Sequence, residues 1–120
     1  MTDFDPKRPE TEPQQSPEER RQAAQAYANT AKEKAAQDPL PQVDMNTFIL
    51  SLSSSALVHL GEVNDPQTGQ NQTDLNLARH TIDMLAMLEE KTKGNLAPDE
   101  EGLLKNILFE LRMKYVQKAK

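Results

Sequence analysis

The stretch HTIDMLAMLEEKTKGNL, from His80 to Leu96, decides how the rest of the chain is read. Leu75, Ala78, Ile82, Leu85 and then Leu88 or Glu89 recur at spacings of three and four, which marks one face of a helix. Leu77, Thr81, Met84 and Met87 flank that stripe. Thr73 or Asp74 supplies an N-cap. The far end is written as a stop. Lys91 and Lys93 suit the negative end of the helix dipole, and Gly94, Asn95 and Leu96 fit a Schellman-type cap. The stretch is therefore an amphipathic helix with apolar groups on more than one side, and something must cover the second side.

Working outward, Asp44 caps an upstream helix through MNTFILSLSSSALVHLG. Met45, Phe48, Ile49, Leu52, Ala56 and Leu60 form its stripe, and Leu50, Leu57 and Val58 widen it, so burial on more than one side is expected. Gly61 stops it, and EVNDPQTGQNQT reads as a loop. Ser51, Ser53, Ser54 and Ser55, with Ala56, leave one sector thin enough for another helix to approach; a catalytic serine would need a GxSxG elbow and a base, and neither is present. Downstream, Pro98 opens a helix whose first turn carries Asp99, Glu100 and Glu101. Its stripe is Leu104, Ile107, Leu108, Leu111 and Tyr115, while Leu103, Phe109, Met113 and Val116 lie outside it. No stretch alternates with a period of two, so no sheet is expected.

Residues 1–43 differ in kind. They hold six of the eight prolines and few branched apolar residues. The first fifteen positions read as solvated coil. Ser16, Pro17 and Glu19 then make a capping box with proline at the first helical position. The alanine-rich segment that follows predicts a marginal helix over 17–37, stopped by Pro39 and Pro41, with Tyr27 as its one large apolar group. The expected organisation is a flexible extension over 1–43 and a helical domain over 44–120.

Bulk properties narrow the function. Net charge of −5 disfavours phosphate-backbone binding as the main activity, and the basic run RMKYVQKAK from Arg112 is what a helix C-terminus prefers. Met45 to Leu60 is too short and too polar to cross a bilayer, which needs about 20 apolar residues. With no cysteine there is no thiolate site or disulfide, and the acidic start MTDFDPKRPE is no signal peptide, so a cytoplasmic location is expected. His59 with Glu62 and His80 with Asp83 are spaced as helix-face pairs and form the one candidate metal set. Their order is the reverse of the Glu-x-x-His pairs of di-metal bundles, further inward glutamates are missing, and Gly61 turns Glu62 away. The acidic pairs lack an evident cleft and the glycines form no phosphate loop, so no enzyme is expected and no cofactor.

The blocks SALVHLGE (Ser55–Glu62), Asp65–Pro66, DLNLARHTIDMLAMLEEKTKGNL from Asp74 and EEGLLKNILFELRMKYV from Glu100 carry a likeness. From Phe48 to Val116 the chain resembles a family of small bacterial proteins known only as a domain of unknown function. The resemblance implies a small helical domain beginning near Asp44 and supplies no activity, cofactor or catalytic residue. The overall expectation is all-α: a small antiparallel three-helix bundle that dimerises, with a disordered or partly helical extension. A single core of this size rarely supplies more than about 3–5 kcal/mol. Met84, Met87, Phe109, Met113 and Val116 are the expected interface, with a second copy or another protein as partner and neither nucleic acid nor membrane.

Overall fold

Ser16 begins the first helix by a reciprocal exchange. Its hydroxyl accepts from the Glu19 amide at 3.1 Å, and the Glu19 carboxylate accepts from the Ser16 amide at 2.8 Å. The computed structural model describes residues 13–37 and 40–120, and positions 1–12 of the coil expected over the first fifteen, with the Pro39 stop, lie outside them. Helix α1 spans Pro17–Ala35 and buries no residue. Alanine propensity and the capping box are sufficient to start it, and Tyr27, its one large apolar side chain, is exposed. The chain divides into two units between Leu40 and Pro41, and α1 belongs to the first.

The second unit contains α2 (Met45–His59), α3 (Leu75–Lys91) and α4 (Pro98–Ala119). Among the described residues every regular element is a helix. Asp44 caps α2 by accepting from the Thr47 amide at 2.8 Å, and Asp74 caps α3 by accepting from Leu77 at 3.1 Å. Helix α4 starts with half a box: Glu100 accepts from the Ala97 amide at 2.8 Å, but alanine has no side-chain acceptor to return the bond.

The two helix stops differ from each other. At the end of α2, Gly61 has φ +78°, Gly61 donates to the Val58 carbonyl, and Glu62 donates to Leu57, each at 3.0 Å. That is a Schellman motif. At Gly94 the expected Schellman cap is replaced by a turn. Asn95 donates to Thr92 at 2.8 Å, not to a carbonyl one turn deeper, with Gly94 at φ +81° inside the turn. The Thr92 hydroxyl and the Thr92 amide both donate to the Leu88 carbonyl, at 2.7 and 2.9 Å, and Lys93 donates to Glu90 at 3.3 Å.

The α2–α3 connection is tied down rather than loose. Asp74 donates its amide to the His59 carbonyl at 2.8 Å, and the Asn71 amide side chain donates to Gly61 at 3.1 Å. Asp65 folds the loop tip, accepting from Gln67 at its carboxylate and from Gly69 at its carbonyl. These bonds set the start of α3 beside the end of α2. At the other end, the Asn46 side chain donates to Asp99 at 3.3 Å, which sets the start of α2 beside the start of α4.

Each of the three helices packs against the other two around one core. Ile49, Ala56 and Leu60 come from α2 and the residue after it, Ala78, Ile82 and Leu85 from α3, and Leu104, Ile107, Leu108 and Leu111 from α4. Thr81 is the one buried polar residue among those described, and its hydroxyl donates to the Leu77 carbonyl at 3.0 Å. The α2 stripe needs correction. Phe48 and Leu50 are half-exposed, so α2 is buried on one side only. Each sits one residue from Ile49 and thus about 100° around the helix, beyond the sector that two neighbouring helices can cover.

Candidate association surface

On α4, successive turns present two opposite apolar faces. Leu104, Leu108, Leu111 and Tyr115 point one way, into or against the core. Phe109, Met113 and Val116 follow one another at four and three residues and project from the opposite side. Their exposures are 65%, 49% and 49%, so a continuous apolar strip faces water on the outside of the domain. Helix propensity alone does not ask for these residues, since charged and polar residues serve an exposed face equally well.

Helix α3 repeats the arrangement on a smaller scale. Met87 is 52% exposed, Met84 is half-buried, and Leu77 is half-exposed on the same flank. Of the five residues expected at an interface, four are therefore largely open and Met84 is the most covered. Leu77, Phe48 and Leu50 are open apolar groups that the spacing argument assigned to stripes or their margins. The available signal was their angular offset from the most central buried residue of each helix. Helix α2 carries no Asp, Glu, Lys or Arg at all, so its outer face of Phe48, Leu50, Ser51, Ser54 and Ser55 is uncharged.

Charge on α4 is locally paired. Lys105 donates to Glu101 at 2.8 Å across one turn. That hydrogen bond, with the attraction of the same charge, holds the Glu101 carboxyl below its usual value; it raises the Lys105 ammonium in turn, with a smaller contribution from Glu89. Both groups are solvent-exposed, so the pair contributes little to stability. Beside it, an open groove of about 540 Å³ runs between the end of α3 and α4. Glu89, Glu90, Lys93 and Arg112 line it along with the pair, a mixture of signs that selects neither an anion nor a cation.

Residues 42–117 match the family described as "Domain of unknown function (DUF1844)". The chain belongs to that family. The DUF1844 match opens two residues before the Asp44 cap and closes inside the last turn of α4, so it takes in α2, α3 and α4 and leaves α1 outside. No curated protein and no solved structure matches the chain.

Within the DUF1844 region the two histidine pairs part company. His59 is half-buried at the end of α2 and lines a hollow of about 240 Å³ with Asp65 and Asp74. Glu62 lies beyond the Gly61 turn, exposed, while His80 and Asp83 are exposed on α3. The structure thus does not gather His59, Glu62, His80 and Asp83 into one ligand set. Among the described residues no group of three or more His, Asp or Glu is placed to hold a metal ion. Also among them, no helix is long and apolar enough to cross a membrane.

Proposed function

We propose that residues 44–120 form a small antiparallel three-helix bundle that works by association, and that a second copy of the chain occupies the outer stripe of α4. The observation that carries this reading is the exposure of Phe109, Met113 and Val116 on the side of α4 opposite its buried leucines. Contact between copies would take that strip out of water.

The second copy is favoured by charge. The chain as a whole is at −5, so two copies repel over most of their surface. Helix α4 is balanced: Asp99, Glu100, Glu101 and Glu110 offset Lys105, Arg112, Lys114 and Lys118. Its acids lead and its bases follow, a layout that complements itself when two copies lie antiparallel across a two-fold axis. The domain acts in this reading as a non-enzymatic interaction module, without cofactor, nucleic acid or membrane.

Sedimentation equilibrium across the micromolar range tests it. The wild-type chain should dimerise, and a Phe109→Lys/Met113→Lys variant should sediment as a monomer with unchanged helical circular dichroism. A wild-type chain that stays monomeric at high micromolar concentration overturns the reading.

A further inference from the structure

We propose that Met87 and Met113 are the peroxide-oxidation sites of the dissociated chain and that the sulfoxide at Met113 disables the α4 association surface; this rests on the self-association reading. The chain contains neither cysteine nor tryptophan, so the methionine thioether is its softest two-electron donor. Of the five methionines, Met1 lies outside the described residues, Met45 packs half-buried against the core, and Met84 is half-buried on α3. Met87 and Met113 are about half open to solvent. In the dissociated chain an oxidant arriving from solution therefore meets these two first.

The chemistry balances with hydrogen peroxide as oxidant. A sulfur lone pair attacks one peroxide oxygen, the O–O bond breaks, a sulfur–oxygen bond forms, and the departing oxygen leaves as water after proton transfer. Sulfur gives up two electrons and the peroxide accepts them. An apolar, flexible side chain becomes polar and strongly hydrated. Met113 sits within the strip between Phe109 and Val116, so its sulfoxide would have to be desolvated for that strip to be covered. Neither Met87 nor Met113 belongs to the core, so the fold survives the change that the surface does not. Modification at Met45, by contrast, would strike the packing of α2.

The experiment uses the full chain. Graded hydrogen peroxide is applied at a dilution where the monomer predominates, the site of oxygen addition is read on peptides by mass spectrometry, and self-association is then followed by sedimentation equilibrium on the concentrated chain. Met87 and Met113 should gain oxygen ahead of Met45 and Met84, and the dimer dissociation constant should rise about tenfold or more. Treatment with a methionine sulfoxide reductase should restore it. A Met87→Leu/Met113→Leu variant should show one dimer dissociation constant, whatever its value, before and after the same peroxide dose. Equal oxidation of Met45 and Met84, an oxidised chain that dimerises normally, or a leucine variant that still loses dimer on treatment overturns the proposal. An untreated chain found monomeric overturns the self-association reading and the switch together, a result distinct from a dimer that oxidation leaves intact.

Discussion

Helices α1 and α4 open alike and end differently. Each begins with proline at its first helical position, and each has a glutamate three residues beyond the cap that accepts the cap residue's amide at 2.8 Å. Each has acids in its first turn and lysine in its last. Yet α1 buries nothing, whereas α4 buries Leu104, Ile107, Leu108 and Leu111. Capping decides where a helix starts, and a stripe of branched apolar residues decides whether it has a face to bury. Where α1 places Ala23, Ala24, Tyr27, Ala31 and Ala35, α4 places leucine and isoleucine.

The strongest way to break this contrast is to take the stripe from α4. Leu108 is 1% exposed, and Leu108→Ala should cost about 2–5 kcal/mol in urea denaturation, a large part of what a domain of this size possesses. Its neighbour gives the control. Phe109→Ala should change monomer stability by less than about 0.5 kcal/mol while weakening self-association, because the ring faces water in the single chain. Equal losses of stability at the two positions would mean that the outer and inner faces of α4 are not distinct.

A good share of this was legible beforehand, for identifiable reasons. The α3 and α4 stripes were readable because a leucine-rich period of three and four has one solution, a helix facing a core. The caps at Ser16 and Asp44 were readable, and that of α3 was narrowed to Thr73 or Asp74, because a short polar side chain before an apolar period satisfies the otherwise free amides. The width of the α2 face was not. Phe48 and Leu50 look like core in composition, and their exposure depends on how many neighbours surround α2, which is a property of the whole packing. The stop at Gly94 was half legible. Glycine correctly marked the positive φ, but Asn95 closes a turn on Thr92 instead of reaching back to Glu90, a choice that the residue types do not encode. The surface residues Phe109, Met113 and Val116 stood out because they fell off the stripe, whereas the hollow that His59 shares with Asp65 and Asp74 depends on loop geometry that spacing does not encode.

The two glycine stops sharpen the contrast at an intermediate level, since they separate backbone conformation from packing. Both have positive φ, so alanine at either position should cost about 1–2 kcal/mol from the left-handed backbone alone. A Cβ at Gly94 would meet open space. At Gly61 it would run into the Thr73 hydroxyl and crowd the Asn71 amide, the group that ties the α2–α3 connection to the Gly61 carbonyl. Thermal unfolding should therefore rank Gly61→Ala below Gly94→Ala. The reverse order would show that the stapled connection contributes nothing to the domain.

The smallest effect expected is the response of α1 to acid, and it isolates what caps do when no core helps them. Glu19 is held below its ordinary value of 4.5, first by the Ser16 backbone amide and then by the Ser16 side chain. A lowered folded value means that the charged cap stabilises the helix above the ordinary carboxylate range and that this help is lost as pH falls through the folded value. Residue-resolved NMR from about pH 6 to about pH 3 should show the α1 alanine signals drifting toward coil. The Leu104–Leu111 segment of α4 should stay helical longer, because its apolar packing does not titrate. Ser16→Ala should reproduce the α1 drift at neutral pH by removing one partner of the exchange. If α1 keeps its shifts through the titration and in that variant, alanine propensity rather than the cap holds it, and the resemblance between the two helix starts has no energetic content.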